Sequence, residues 1–232
     1  VLIRVIDCET TGMKESGGAV CEVGWCDLTW DGNRATVSVP QSVVCDPGQP
    51  IPAEARAVHH IADRELKGAP SPAEAIARAI HNAPLLAAHV ADFERDFIEA
   101  PGAQWICTYK VAVRAFADLL CHSNQFLRYE LDLVAADDPL AMPPHRAGPD
   151  AYVTAHLLAC ILEGGEIDID TMIRWSSGPA LLTLVSFGKH RGSKWEDLPA
   201  DYLQWITDKS ELDRDTKANA RYYLKRKEGA LV

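Results

Sequence analysis

The sequence predicts an α/β fold: a mixed sheet of about five strands flanked by helices, with a small C-terminal module. Three observations predict it. Residues 1–44 hold three apolar runs separated by turn residues, which reads as an antiparallel start. From 71 onward, capped or amphipathic helical stretches alternate with short apolar runs, the order that lays helices on the faces of a sheet. From about 181 an acidic body gives way to a basic, tryptophan-bearing tail.

In Val1 to Ile6 only Arg4 interrupts the apolar run, as in a strand buried on both faces. AVCEVGWCDLTW (19–30) reads as a second strand, Trp30-Asp31-Gly32-Asn33 as a hairpin turn, and ATVSVPQSVV (35–44) as the returning third. Asp46-Pro47-Gly48 opens a loop. SPAEAIARAIHN (71–82) is a helix with Ser71 as N-cap, Pro72 at the first position and Glu74 closing a capping box. PLLAAHV (84–90) is a short buried strand leading into a helix from about 91. WICT (105–108) is another strand, followed by helices over 109–120 and about 125–135. A Pro-rich loop at 139–149 feeds the apolar helix AYVTAHLLACIL (151–162). A boundary at 178/179 separates the main domain (1–178) from the module (179–232).

The composition, 47% hydrophobic and 24% charged, is that of an ordinary globular protein, with no apolar stretch of membrane-spanning length. Seven scattered cysteines include no C-x-x-C pair, so reduced thiols and a cytoplasmic setting are expected rather than disulfides or zinc. Residues 1–180 carry 13 Lys+Arg against 25 Asp+Glu, and 181–232 carry 10 against 8. An acidic body disfavours a nucleic-acid partner unless carboxylate-bound cations bring the positive charge.

Three clusters carry chemistry. Asp7 and Glu9 sit one residue apart at the end of the first strand, so they share a face roughly 6 to 7 Å apart along the backbone. Two anions that close repel unless a cation lies between them. AAHVADFERDF (87–97) gathers acids at a helix start just after a buried strand. HRAGPD (145–150) places His145 and Asp150 on a loop entering a helix. Strand ends and helix starts are where an α/β sheet puts its ligands.

D-C-E-T-T-G, A-H-V-A-D-F-E and H-R-A-G-P-D, in that order, resemble the three motifs of the DEDDh-type (DnaQ-like) 3′→5′ exonucleases. AVHHI (57–61) resembles that family's His loop. WICTYKVAVRAF, SNQFLRYEL and LVSFGKHRGSKWEDLPADYLQWI extend the resemblance to about Leu224, toward the family's exodeoxyribonuclease branch. The resemblance implies an RNase H-like sheet and metal-dependent release of nucleoside 5′-monophosphates from DNA 3′ ends, single-stranded by preference. It implies two ions, Mg²⁺ or Mn²⁺, the hard cations that take carboxylate oxygens. Asp7 would bridge them, Glu9 and Asp150 would hold the nucleophile-side ion, and Glu94 the second. His145 would be the general base, imidazole being the side chain that titrates near neutrality. Thr10 and Thr11, through backbone N–H groups, with Met13 and His59, would meet the terminal nucleotide.

The family usually has Asn where Val90 stands and Asp where Glu94 stands. Asp92 and Asp96 therefore remain rivals of Glu94, sharing a helix face that Glu94 does not. His89 reads as a packed histidine and Cys8 as core, since it points away from the acids. Trp175, Trp195 and Trp205 with Tyr202 also read as core. An RNA 3′→5′ exonuclease, or a non-catalytic nucleic-acid-binding module on the same fold, are the competing functions; the motifs do not separate the sugars.

Overall fold

The computed structural model describes residues 1–135, 137–209 and 211–229. Residues 210 and 230–232 of the expected module lie outside the described residues. In chain order the elements are β1 (Leu2–Thr10), β2 (Val20–Trp30), β3 (Ala35–Val37), β4 (Gln41–Val44), α1 (Ala53–His59), α2 (Pro72–Ala79), β5 (Leu85–Ala88) and α3 (Ala91–Phe97). There follow β6 (Gln104–Cys107), α4 (Thr108–Ala115), α5 (Asn124–Glu130), α6 (Ala147–Glu163), α7 (Ile169–Ser176), α8 (Ala200–Lys209) and α9 (Arg214–Gly229).

The strands form one mixed sheet in the order β3-β2-β1-β5-β6, with β4 also paired to β2. β1 lies antiparallel to β2 and parallel to β5, and β5 is parallel to β6. The expected third strand is two: β3 pairs with 28–30 of β2 and β4 with 22–25. Pro40 falls in the gap, where a residue with no N–H cannot continue a ladder. Among the described residues the sheet therefore has six strands rather than five.

β1 also runs past the acids that were expected to end it, pairing as far as Thr10 with Val20. Its one interior cation, Arg4, is accommodated by Asp27 directly across on β2 (2.8 and 2.9 Å). Arg4 Nη1 also donates to the carbonyls of Ala79 and His81, closing the C-terminal end of α2. α2 accordingly stops short of the predicted residue 82.

Side-chain alternation in β1 sorts the two faces. Ile3 and Val5 pack with Ala151, Ala155 and Leu158 of α6, together with Val111 of α4 and Leu127 of α5. Ile6 and Cys8 pack on the other face with Ala75 and Ala79 of α2 and Phe97 of α3. Each large aliphatic side chain fully withdrawn from water contributes roughly 1.5–3 kcal/mol, so α6 is held firmly over β1 and β2. Asp7 and Glu9 have the parity of Ile3 and Val5, and so emerge beneath α6.

α6 begins four residues earlier than predicted. Gly148-Pro149 reads as loop by composition, yet Pro is compatible with the first turn of a helix, whose N–H groups have no partner within it. That first turn lies almost on the β2 backbone. A Cβ placed on Gly24 would come 2.1 Å from the carbonyl carbon of Ala147. Gly24 is paired across the sheet with Asp7, so this close approach delivers the start of α6, with Asp150, to the acid pair. α1 and α7 were not read from the sequence. Residues 181–224 build a separate apolar cluster around Trp195, with Val185, Leu203, Ile206 and Tyr223. Among the described residues, no helix is long and apolar enough to cross a membrane.

Candidate active site

The parallel pair β1 and β5, with α3 leaving β5 and α6 crossing above, brings three distant segments together. Asp7, Glu9 and Asp150 each present a carboxylate oxygen within 4.8 Å of the others. Asp7 and Glu9 are half-buried and Asp150 is buried. Asp150 is fixed by two donors: Gln125 Nε2 on Oδ1 (2.9 Å) and the His145 backbone N–H on Oδ2 (2.8 Å). The second bond is available because His145 adopts φ +59, a left-handed turn that folds the loop back on the helix start.

The electrostatics are those of crowded anions. Burial, then Asp150, Glu94, Glu9 and Glu22, push the Asp7 carboxyl well above the usual carboxylate range. Glu9 is pushed up to about 8 by burial, Asp150 and Glu22, against an opposing effect of Arg146. Burial also raises Asp150, opposed by its hydrogen bonds from His145 and Gln125. Such a cluster is stable in water only if protonated or if it holds cations.

Of the three rival acids on α3, Glu94 is the one that lies buried. Glu94 is 3% exposed, its charge acts on Asp7, and burial raises its own carboxyl. Among the described residues its buried Oε2 has no hydrogen-bond partner, which suits a cation ligand. Asp92 is instead engaged by Lys110 (2.7 Å) and Arg95 (3.7 Å), and Asp96 faces solvent. The donor set is all oxygen, as hard divalent cations require. Val90 precedes α3 at φ +68, a conformation costing a residue with a Cβ about 1–2 kcal/mol. Asn tolerates it better, which gives the family's usual Asn at this position a physical reason.

The expected nucleotide-binding residues line one cavity of about 550 Å³ beside Glu9. Thr10, Thr11, Met13 and His59 border it, together with Phe93 and Gln49. One expectation needs correction. The Thr11 N–H is taken by the Ala19 carbonyl (2.9 Å), and its hydroxyl accepts from Ala19 N–H and Gln49 Nε2, so Thr11 shapes the turn and offers no amide. His59 lines the cavity wall and is 2% exposed; its Nδ1 accepts from Ile61 N–H (3.0 Å), and burial lowers its pKa. Thr10 Oγ1 donates to the Gly12 carbonyl, and Met13, 53% exposed, stands at the mouth. His145 is exposed beside Asp150. His89 is packed as expected: Nε2 donates to the His122 carbonyl (2.8 Å), and burial lowers its pKa to about 4.

Three site residues went unread. Glu22, 1% exposed on β2 opposite Glu9, binds Arg146 through two contacts (2.9 and 2.8 Å) and accepts from Ala147 N–H (3.0 Å). An acid between apolar neighbours in VCEVG was the available signal for Glu22, and Arg146 is its partner. Nothing in the sequence marks Gln125.

A family model described as exonuclease, of the RNase T type, matches residues 5–158. Exodeoxyribonuclease 10 of Escherichia coli K12 is 28% identical over 227 residues, covering 96% of this chain and 99% of its own. The structure of exonuclease X in complex with 5′ overhanging duplex DNA superposes with a TM-score of 0.65 at 28% identity, over 75% of this chain and 99% of that one. The zinc-bound E. coli ExoI–ssDNA complex (TM-score 0.55, 13% identity, 71% of this chain and 41% of that one) has a similar fold. So does a full-length 3′-exonuclease (0.54, 14%, 71% and 61%), and the RNase H-like α/β expectation is borne out. Exonucleases of this family are in general divalent-metal dependent, and the acidic cluster suits that requirement. With more than half of its length inside the family model, the chain belongs to the exonuclease family, and the expectation of a 3′→5′ exonuclease hydrolase is borne out.

Proposed function

We propose that the chain is a 3′→5′ exodeoxyribonuclease that hydrolyses the terminal phosphodiester of single-stranded DNA 3′ ends and releases nucleoside 5′-monophosphates. Residues 1–178 would carry the chemistry, 179–232 would form a module of their own, and the free cysteines suit a cytoplasmic setting. The observation carrying this reading is the meeting of Asp7, Glu9 and Asp150 within 4.8 Å, while the buried Glu94, whose charge acts on Asp7, has an oxygen with no hydrogen-bond partner among the described residues. DNA as substrate draws on the exodeoxyribonuclease relative and on the duplex in the exonuclease X complex.

Two Mg²⁺ or Mn²⁺ ions, held by Asp7, Glu9, Glu94 and Asp150, would supply the charge neutralisation and water activation that phosphodiester hydrolysis needs. Asp7 and Glu9 offer their oxygens from one face of a buried strand, so their spacing is set by the sheet. Gln125 and the His145 N–H hold the Asp150 carboxylate with both oxygens oriented. The His145 imidazole, exposed on its turn, is free to take the proton of the attacking water. Phe93 and Met13 give the cavity apolar surface against which a terminal base can pack.

The test is release of mononucleotide from 3′-labelled DNA and RNA strands. Wild-type protein should release nucleoside 5′-monophosphate with Mg²⁺ and none with EDTA, DNA being preferred. Glu94→Ala should lower turnover by at least about 100-fold, beyond what loss of a supporting residue costs, and Asp92→Ala by less than about tenfold. Equal loss in both variants would overturn the assignment of Glu94. No metal-dependent release from either nucleic acid would leave a binding module.

A further inference from the structure

The tail contains a surface that the hydrolytic site does not use. Leu184 and Lys194 pair antiparallel, and Gly192 N–H donates to the Val185 carbonyl (2.8 Å), closing a loop whose tip is Gly188–Gly192. Gly188 (φ +59) and Gly192 (φ +85) supply left-handed bends at either end of the tip. Between them Lys189 and Arg191 are exposed. From Gly188 to Lys194 the chain carries three Lys or Arg and no acid.

This tip rests on Tyr202 of α8. A Cβ on Gly188 would stand 3.3 Å from the Tyr202 hydroxyl, the Lys189 ammonium lies 5.3 Å from its ring centroid, and the His190 ring 4.5 Å. Trp205, one helical turn on, stacks beside Tyr202 with centroids 5.6 Å apart and planes at 20°. The sequence placed Trp205 in the core, where Leu203, Ile206 and Trp195 are fully buried. Instead it is 46% exposed, stacked on the Tyr202 ring over which the Lys189 ammonium lies.

We propose that Lys189, Arg191, Tyr202 and Trp205 form an accessory site for single-stranded nucleic acid, a base stacking on Trp205 while the two cations meet phosphates. Charge selects this occupant. The body up to 180 has 12 more acids than bases and repels phosphate, whereas this loop concentrates positive charge next to an aromatic face. Stacking is indifferent to sequence, as an enzyme that removes nucleotides one after another requires. A strand held there stays tethered between cleavage events, raising its effective concentration at the acids. The inference rests on the nuclease reading above, but concerns long strands alone.

Full-length protein is titrated with labelled oligothymidylate by fluorescence anisotropy, with Ca²⁺ in place of Mg²⁺. In parallel, hydrolysis of the p-nitrophenyl ester of thymidine 5′-monophosphate is followed with Mg²⁺. Trp205→Ala should weaken strand binding roughly five- to 100-fold, the loss of one stacked base, with Trp205→Phe recovering most of it. Lys189→Gln with Arg191→Gln should reduce the slope of log affinity against log salt by about 1.4, two phosphate contacts. Both variants should hydrolyse the ester at the wild-type rate. Unchanged strand affinity and salt slope in both would overturn the proposal, as would a surface that binds only protein. Failure of wild-type protein to hydrolyse the ester would strike the nuclease reading instead, leaving the binding comparison to judge this site.

Discussion

Asp7→Asn is expected to abolish hydrolysis and yet raise the stability of the metal-free protein. Asp7 is pressed between burial and the charges of Asp150, Glu94 and Glu9, so its ionised form is disfavoured in the folded state. The folded carboxyl therefore titrates above the unfolded one, and the folded state binds more protons in between. Stability falls as pH rises through that window and is fully recovered below it. For Glu9 the window runs from 4.5 to about 8. Metal-free wild-type protein should thus melt at progressively lower temperature from pH 5 to pH 8. Asn at position 7 keeps the shape, removes one of the clustered charges, and should gain about 1–3 kcal/mol at pH 8. Mn²⁺ should stabilise wild-type protein more at pH 8 than at pH 5, and the variant much less. Calorimetry in EDTA and in Mn²⁺ checks both. A less stable Asp7→Asn protein at pH 8 in EDTA would contradict the repulsion on which cation binding depends.

Arg146→Met should destabilise the fold by about 3 kcal/mol and depress turnover. Its guanidinium holds Glu22, which is otherwise buried on β2 opposite Glu9. Removing the cation leaves an ionised carboxylate with only the Ala147 N–H, next to a site already crowded with anions. Because Arg146 lies between His145 and Ala147, the same contact pins the segment that carries the expected base and Asp150. It acts through them as a positioning residue. Glu22→Gln in the same chain removes the stranded charge, so the double variant should recover at least about 1 kcal/mol of stability. Its turnover should stay low, because the segment is no longer pinned. Urea denaturation of the four proteins measures the coupling. Additive losses would mean that the pair contributes no interaction of its own.

The acids of the first and third motifs were singled out by the family resemblance, and strand parity explains why the first two point the same way. Asp7 and Glu9 share a face by alternation alone, and Asp150 was placed by its position at a helix entrance. Glu94 against Asp92 was not decidable from periodicity, because what engages Asp92 is Lys110, a contact from another helix. The same holds for Thr11, whose amide is claimed by Ala19 across a turn, and for Gln125, which reaches Asp150 from a neighbouring helix. Composition misled at Gly148-Pro149, where residues typical of loops open α6. It misled again at Trp205, where an apolar residue on an amphipathic helix lies outside its buried stripe. Each miss is a tertiary contact, or a lack of one, that local sequence does not encode.

The central claim is that acids from three segments gather around a pair of divalent cations. Manganese titrated into crystals with a nucleoside 5′-monophosphate measures it directly through anomalous scattering. Two peaks are expected, one that Asp7, Glu9 and Asp150 would hold and one that Asp7 and Glu94 would hold. Peaks confined to other acids, or none near Asp7 at saturating manganese, would contradict it.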